Sequence, residues 1–208
     1  MRSDVLIVAQ RDRQPRIECG GGVSARRTEP DTVHLVSAAA TPLGGDAIHI
    51  RVVVEAGARL RVRTAAATVT LPGSTTVESH AFWTLEVAGD LDVDPQPTVV
   101  AATSRHFTST RVELTAAGRV RLRERIQIGR SNERQGFWSG ALHADVDGSP
   151  LLRHRIELGN ASVADDALGT PLACISELRY PEAAFDGAGT LLALASGGGL
   201  ATWQGDRL

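Results

Sequence analysis

Residues 48–129 alternate apolar and polar side chains almost without interruption. The first stretch has apolar residues at the even positions from Ile48 to Val54, and the next has Leu60 and Val62 between arginines. This is the period of a β-strand that buries one face, and it differs from the longer period of a helix. Because Gly or Pro separates the stretches, the pattern predicts an all-β fold of short strands.

A strand–corner–strand unit repeats along this region, and each unit has an Ala-Gly corner, ending at Gly57, Gly89 and Gly118. These glycines lie 32 and 29 residues apart. Repeats of this length are typical of stacked coils, in which each unit covers the apolar face of its neighbour. The spacing therefore predicts β-helix-like stacked strands. A β-sandwich whose hairpins have similar lengths stays open as the alternative.

The amino-acid composition argues against several classes of function. The 208 residues fit one domain, and a net charge of −2 gives no electrostatic basis for binding nucleic acid or an anionic membrane. All 22 basic residues are arginine, so the lysine of a P-loop is missing and a Walker-type nucleotidase is excluded. The apolar run at residues 5–9 is too short for a signal peptide or a membrane span, which predicts a cytoplasmic protein.

The helical signal lies toward the C-terminal end of the sequence. Residues 164–180 include two consecutive aspartates, and the run at 172–178 is long enough for about two helical turns after Pro171. We therefore expect a small helical segment in this part of an otherwise all-β chain.

Five sequence blocks occur in an order that carries a family resemblance. They are residues 41–73 (a Gly-Gly-Asp turn, two strands and the run Thr-Ala-Ala-Ala-Thr), 95–99 (Pro-Gln-Pro-Thr-Val), 124–130 (Glu-Arg-Ile-Gln-Ile-Gly-Arg), 133–134 (Glu-Arg) and 150–152 (Pro-Leu-Leu). Together they resemble the UreD family of urease accessory proteins, also named UreH. These are non-enzymatic chaperones that help to place nickel in urease.

The resemblance implies a single UreD-type domain over residues 1–208, β-helix-like with a small helical part and shortened at its C-terminal end. It implies a scaffold that binds apo-urease, the F-type accessory protein and the accessory GTPase G, which brings nickel. No cofactor is expected to bind tightly, and Ni²⁺ is expected only in transit through an internal passage. No enzymatic activity is expected either, because the chain lacks a G-x-S-x-G motif.

Glu124 is the most informative single residue. In the predicted strand at residues 119–128 the other even positions are apolar, and positions 119, 121, 123 and 125 are arginine. A carboxylate on a core-facing side is costly unless it is paired, hydrated or metal-bound. Two interpretations stay open. Either a bulge or strand end lets Glu124 reach an arginine, or Glu124 lines the internal passage as a weak nickel ligand, as the resemblance implies.

Asp46, in the Gly-Gly-Asp turn, also has two interpretations. It is a turn-capping residue or, from its place in the family motif, a second weak metal ligand in transit. Asp90, Asp92 and Asp94 share one strand face, which predicts a solvated or edge-protecting acidic strip, with a weak divalent site as the alternative. The six histidines have no ligand-like spacing, so tight nickel or zinc binding is not expected.

The arginine rows at 59–63 and 119–125 predict a basic stripe that is either solvated or a protein interface. Phe137 and Trp138 are either an exposed pair in a loop or a core anchor. The alternative function is a β-solenoid or β-sandwich binding module unrelated to urease, such as a carbohydrate binder, although aromatic residues make up only 4% of the chain and are scattered. A β-helical lyase or hydrolase would need several charged residues facing one groove.

Overall fold

Strands make up the regular secondary structure of the part of the chain that is described. The computed structural model describes residues 1–163, 165, 170–185, 187 and 189–208. Within these ranges no helix is present, and none is therefore long and apolar enough to cross a membrane. The strands are β1 (Arg2–Ala9), β2 (Arg16–Gly20), β3 (Val23–Glu29), β4 (Thr32–Ser37), β5 (Ala47–Val54), β6 (Arg59–Thr64), β7 (Thr68–Thr70), β8 (Glu78–Val87), β9 (Asp90–Val93), β10 (Thr98–Val100), β11 (Arg105–Leu114), β12 (Arg119–Ile128), β13 (Phe137–Val146), β14 (Ser149–Gly159), β15 (Ala173–Tyr180), β16 (Thr190–Ala193) and β17 (Gly199–Gly205).

Three successive coils form the centre of the fold. The first consists of β5, β6 and β7, the second of β8, β9 and β10, and the third of β11 and the long β12. Strands β5, β8 and β11 pair in parallel, and so do β6, β9 and the first half of β12. The far end of β12 takes the third position and pairs with β10, which in turn pairs with β7. The prediction of an all-β chain with stacked strands is confirmed.

The corner glycines stack from one coil to the next. A Cβ atom added to Gly89 would lie 2.3 Å from the carbonyl oxygen of Ala58 in the preceding coil. The same test at Gly118 gives 2.3 Å to the carbonyl oxygen of Val87. Gly57 has a φ of 73°, a conformation that glycine adopts at no steric cost. The repeat in the sequence therefore reflects close backbone approach at two corners and a left-handed residue at the third.

The strands form two sheets that enclose the apolar core. The seven-stranded sheet has the order β14-β13-β11-β8-β5-β1-β2, and the ten-stranded sheet includes β16-β17-β15-β12-β9-β6-β4-β3. Inward-facing residues form two buried clusters. The larger cluster includes Leu60 and Leu85, and the smaller includes Ile126, Trp138 and Leu158. Removal of these side chains from water is the main driving force for packing the sheets together.

The prediction of a helical segment is wrong in the part of that segment that the structure describes. Residues 173–180 form β15, which pairs antiparallel with both β12 and β17. Residues 164 and 166–169 of the predicted segment lie outside the described residues. Both faces of β15 are largely covered, so its sequence lacks the alternation that marks a half-buried strand. A short, continuously apolar run cannot be distinguished from a buried helix by its period alone.

The arginine rows face an acidic row that lies between them. Strand β9 runs between β6 and β12, so its aspartates are flanked by arginines on both sides. Arg63 contacts Asp92 at 2.8 Å, while Arg121 and Arg125 contact Asp94 at 3.3 and 2.5 Å. The rows form a cross-strand ladder of opposite charges, an arrangement that stabilises sheets. In the described ranges, no group of three or more His, Cys, Asp or Glu residues is arranged to hold a metal.

The charge ladder continues onto β15 through Glu177. This buried carboxylate pairs with Arg121 at 3.0 Å, Arg123 at 2.5 Å and Arg179 at 2.6 Å. Burial alone would raise the pKa of Glu177, but hydrogen bonds from Arg121 and Arg179 hold it below its usual value. Glu177 therefore fastens β15 to the third coil through charge-assisted hydrogen bonds.

We expect Gly89→Ala to lower the free energy of unfolding by about 1–3 kcal/mol, the usual cost of forcing extra atoms into a packed site. The new methyl group would meet the carbonyl oxygens of Ala58 and Glu55. Urea denaturation followed by circular dichroism measures the change. The matched control is Gly20→Ala, because no atom lies within 4 Å of the added methyl group there. Equal loss of stability in the two variants would contradict the stacked corners.

Candidate functional site

An interior cavity of about 300 Å³ lies between the two sheets, next to the boundary between the apolar clusters. Along β12, Leu122 belongs to the larger cluster and Ile126 to the smaller, and Glu124 lies between them on the same inward face. Ser176 is the direct cross-strand partner of Glu124 on β15. The core is therefore divided by a layer in which the inward side chains are polar.

Five strands of the two sheets each contribute one polar or glycine residue at this level or at the next inward position: Thr108 on β11, Glu124 on β12, Gly140 on β13, His154 on β14 and Ser176 on β15. We refer to these five residues as the polar belt. All five line the cavity. Of the five, only Glu124 was identified from the alternation of the sequence. The other four interrupt the apolar inward positions of their strands as well, but less conspicuously than a charged residue does.

Glu124 lies inside the cavity and is not paired with an arginine. Its Oε1 atom accepts a hydrogen bond of 3.0 Å from the hydroxyl of Thr108. The flanking Arg123 and Arg125 form their ion pairs on the outer face of the sheet. Part of the Glu124 side chain is accessible within the cavity, yet the residue lies deep in the protein. Burial raises its pKa to about 7, against the opposing effect of the Thr108 hydrogen bond.

Three further polar atoms beside the cavity are buried and have no hydrogen-bond partner among the described residues. They are Trp138 Nε1, His154 Nε2 and Ser176 Oγ. A buried polar group without a partner costs about 1–3 kcal/mol. Each of these three atoms has almost no accessible surface, so water in the cavity does not reach them in this structure. Glu124 is partly accessible, and a cavity of this size holds several water molecules, so its carboxyl group is the part of the polar belt that water can hydrate.

The two histidines of the cavity are neutral at neutral pH. Burial, together with a smaller effect of the nearby His80, lowers the pKa of His106 to about 4. His106 Nδ1 lies 2.9 Å from the Ser79 hydroxyl, so this ring has a partner. Burial also lowers the pKa of His154, whose Nε2 atom has none among the residues described. Of the two rings, only His154 offers an unpaired buried nitrogen.

Two of the family-like blocks form the wall where the cavity approaches the surface. The small-residue run at 64–68 and the pair Pro95 and Gln96 line the cavity. Ala65, Ala66 and Ala67 are exposed at the same time. Their short side chains leave the bend between the second and third strands of the first coil thinly covered. This bend is one place where the cavity wall is also the protein surface.

Asp46 lies outside the cavity and caps the loop before β5. Its Oδ1 accepts a hydrogen bond of 2.6 Å from the Met1 amino group, and its Oδ2 accepts bonds of 2.8 Å from Thr41 and from the Leu43 amide. Burial alone would raise the pKa of Asp46, but these hydrogen bonds hold it below its usual value. Thr41 lines the cavity, so Asp46 braces its wall. The structure does not bring Asp46 and Glu124 together, and metal binding by Asp46 stays a prediction.

Arg130 and Glu133, which belong to the sequence blocks that resemble the UreD family, hold two loops together. Glu133 accepts hydrogen bonds from the backbone amides of Ala102 and Arg130, both at 3.0 Å, and pairs with the Arg130 side chain. The Arg130 hydrogen bond and these amides lower the pKa of Glu133 to about 2. This block therefore fixes the loop after β12 against the loop between β10 and β11.

The aromatic residues are less scattered in space than in sequence. Phe137 and Trp138 are 6% and 1% exposed, so the core-anchor interpretation is correct. On the seven-stranded sheet, ring centroids 4.8–6.0 Å apart form one stack: His49, Phe82, His80 and Phe107. The rings cover one another's faces, whereas a carbohydrate binder presents free aromatic faces to the sugar.

Comparison of the whole chain with known proteins supports the family resemblance of the sequence blocks. A model of the UreD urease accessory protein family matches residues 23–205. Among curated relatives, urease accessory protein UreD 1 of Saccharopolyspora erythraea is 41% identical over 148 residues, which cover 70% of this chain and 58% of the relative. UreD of Frankia alni is 40% identical over 183 residues, covering 76% and 61%. UreD of Frankia casuarinae is 39% identical, covering 76% and 55%. The chain thus spans about three fifths of the length of these relatives.

We expect the stability of the wild-type protein to fall as the pH rises from 4.5 to about 7, the interval between the ordinary and the raised pKa of Glu124. The folded state holds this proton more tightly than the unfolded state, so the contribution is complete below pH 4.5 and is lost as Glu124 ionises. The slope from this group approaches about 1.4 kcal/mol per pH unit. Glu124→Gln should lack this component, and relative to the wild type it should gain about 3 kcal/mol between pH 4 and pH 8.

Urea denaturation at several pH values measures this difference. The matched control is Glu113→Gln, because Glu113 is exposed and lies outside the cavity. Its stability profile should follow that of the wild type. Parallel profiles for wild type and Glu124→Gln would show that Glu124 is not a buried carboxyl group.

Proposed function

We infer that this chain acts in urease maturation because it belongs to the UreD family of urease accessory proteins, and we propose that nickel crosses it through the cavity between its sheets. The observation that supports the passage is the polar belt. It combines a buried carboxyl group without an ion-pair partner, room for water and a thinly covered wall at the surface. A core built only for stability would fill this layer with apolar side chains.

Within the passage, Glu124 is the weak ligand that stabilises the passing cation. Nickel travels with water as its main ligand, and Glu124 replaces part of that water shell through its free Oε2 atom. Thr108 holds the other carboxylate oxygen and so orients the group toward the cavity. A single carboxylate and water bind a borderline divalent ion loosely, which allows its release. Asp46 contributes from outside the cavity by holding the Thr41 loop in place.

The protein itself carries out no covalent chemistry in this proposal. It is a cytoplasmic scaffold between apo-urease, the F-type accessory protein and the GTPase G, and nucleotide hydrolysis takes place in the GTPase. No cofactor is bound tightly, and Ni²⁺ is cargo. The ladder of arginines and acids on the ten-stranded sheet is the proposed docking surface, where carboxylates of a partner would compete with Asp92 and Asp94 for the arginines.

We expect isolated protein to bind Ni²⁺ no more tightly than about micromolar, because the polar belt offers few protein ligands and leaves most of the coordination to water. Isothermal titration calorimetry measures the affinity. Nanomolar binding would contradict a transit role and indicate a storage site.

Glu124→Gln should lower urease activation about tenfold or more in a host that supplies the remaining components, the loss typical for removal of a group that holds a metal. The isosteric amide keeps the volume and the hydrogen bond to Thr108 but removes the negative charge. Urease activity and the nickel content of purified urease measure the effect, with Glu113→Gln as the control. Co-purification with urease should be unchanged. Wild-type activation by Glu124→Gln would exclude a passage role, and loss of urease binding would make Glu124 a structural residue instead.

A further inference from the structure

Trp138 is a large, fully buried side chain in the cavity wall that the passage, as described so far, does not use. Its Nε1 atom is buried, and the residues that the structure describes offer it no hydrogen-bond partner. A buried tryptophan usually finds a partner for this nitrogen, because leaving it without one is costly. Phenylalanine would fill the core without that cost. The advantage of tryptophan here therefore comes from the reach of its second ring.

The second ring of the Trp138 indole lies over Gly140, two residues further along β13. A methyl group added to Gly140 would overlap the indole atoms Cζ2 and Cη2. The same methyl group would lie 3.0 Å from the hydroxyl oxygen of Thr108, which is the cross-strand neighbour of Gly140 on β11. The edge of the indole and the Thr108 hydroxyl therefore meet above Gly140. A glycine inside a strand often marks such a close approach.

Thr108 connects the indole to Glu124. The hydroxyl that lies beside the indole edge is the one that donates to Oε1 of Glu124, at 3.0 Å. An apolar ring next to this pair excludes water from one side of it, and exclusion of water disfavours the charged form of a carboxyl group. The raised pKa of Glu124, about 7, agrees with such surroundings. The geometry thus links an apolar wall, a hydroxyl and a carboxyl group in one chain of contacts.

We propose that Trp138 is a positioning residue that acts on Glu124 through Thr108. The indole, seated on Gly140, holds the Thr108 hydroxyl against Oε1 and keeps water from this side of the carboxyl group. Oε2 is left as the oxygen that a divalent cation reaches from the cavity. The carboxyl group then keeps its proton more readily while the passage is empty, and it releases that proton to water when a cation binds. The role in cation transfer rests on the proposed passage, whereas the coupling of the indole to the carboxyl group does not.

A ¹³C NMR titration of glutamate-labelled protein tests this coupling. The side-chain carboxyl signal of Glu124, assigned by its loss in Glu124→Gln, should titrate near pH 7 in the wild type. In Trp138→Phe the second ring is gone and water reaches the pair, so the midpoint should fall by about one pH unit or more. The matched control is Trp203→Phe. A methyl group on Gly205 would lie 2.6 Å from Cζ2 of Trp203, so the two indoles are seated alike, but Trp203 lies outside the cavity. This control should leave the midpoint unchanged.

Two further variants keep the test decisive if Trp138→Phe folds poorly. Gly140→Ala retains the tryptophan but displaces its ring from Thr108, so the Glu124 midpoint should fall here as well. In the double variant Trp138→Phe/Gly140→Ala, the new methyl group takes the place of the removed ring atoms and should restore part of the shift. Loss of stability with an unchanged Glu124 midpoint in both single variants would make Trp138 a packing residue only and overturn the proposal.

Urease activation separates this proposal from the passage, because the titration needs no urease. If the Glu124 midpoint falls in Trp138→Phe but Glu124→Gln activates urease normally, the passage is wrong and the positioning of the carboxyl group stands. If the midpoint does not move while Glu124→Gln fails to activate urease, the positioning role is wrong and the passage stands.

Discussion

In-register parallel pairing between coils determines which side chains meet in the interior of this protein. The hydrogen bonds that join β5, β8 and β11 keep every inward residue level with its counterpart in the next coil, and β6, β9 and β12 obey the same rule. A shift of one residue in any strand would turn its inward set outward. The polar belt exists because this register, continued through β13 and β15, places Gly140 level with Thr108 and Ser176 level with Glu124, while His154 on β14 lies one inward position further along.

The belt has an energetic cost that the rest of the core offsets. Burial raises the pKa of Glu124 to about 7, which means that its ionised form is destabilised by its surroundings. Apolar clusters on both sides of the belt hold the two sheets together around this layer, and the charge ladder around Glu177 joins the strands within the ten-stranded sheet. A layer that weakens the core yet lines a cavity is typical of a functional site rather than of a structural one.

Much of the fold could be predicted from local sequence, because a half-buried strand and a glycine corner both leave local signals. Glu124 was identifiable for the same reason, as a charge on an apolar face. Strand β15 was mistaken for a helix because both of its faces are covered, which removes the alternation. His154 and Ser176 could not be assigned to the site, because their significance depends on strand pairing over long separations. The same limit applies to the aromatic stack, whose rings come from different coils.

A crystal structure at high resolution tests most directly whether the interior of this protein is a hydrated passage. Ordered waters should lie at about 3 Å from the Glu124 carboxylate, because Thr108 occupies only its Oε1 atom and the group lines the cavity. The water should continue toward the thinly covered bend at residues 64–68. A closed, dry layer in which Glu124 turns to pair with Arg123 or Arg125 would contradict the account.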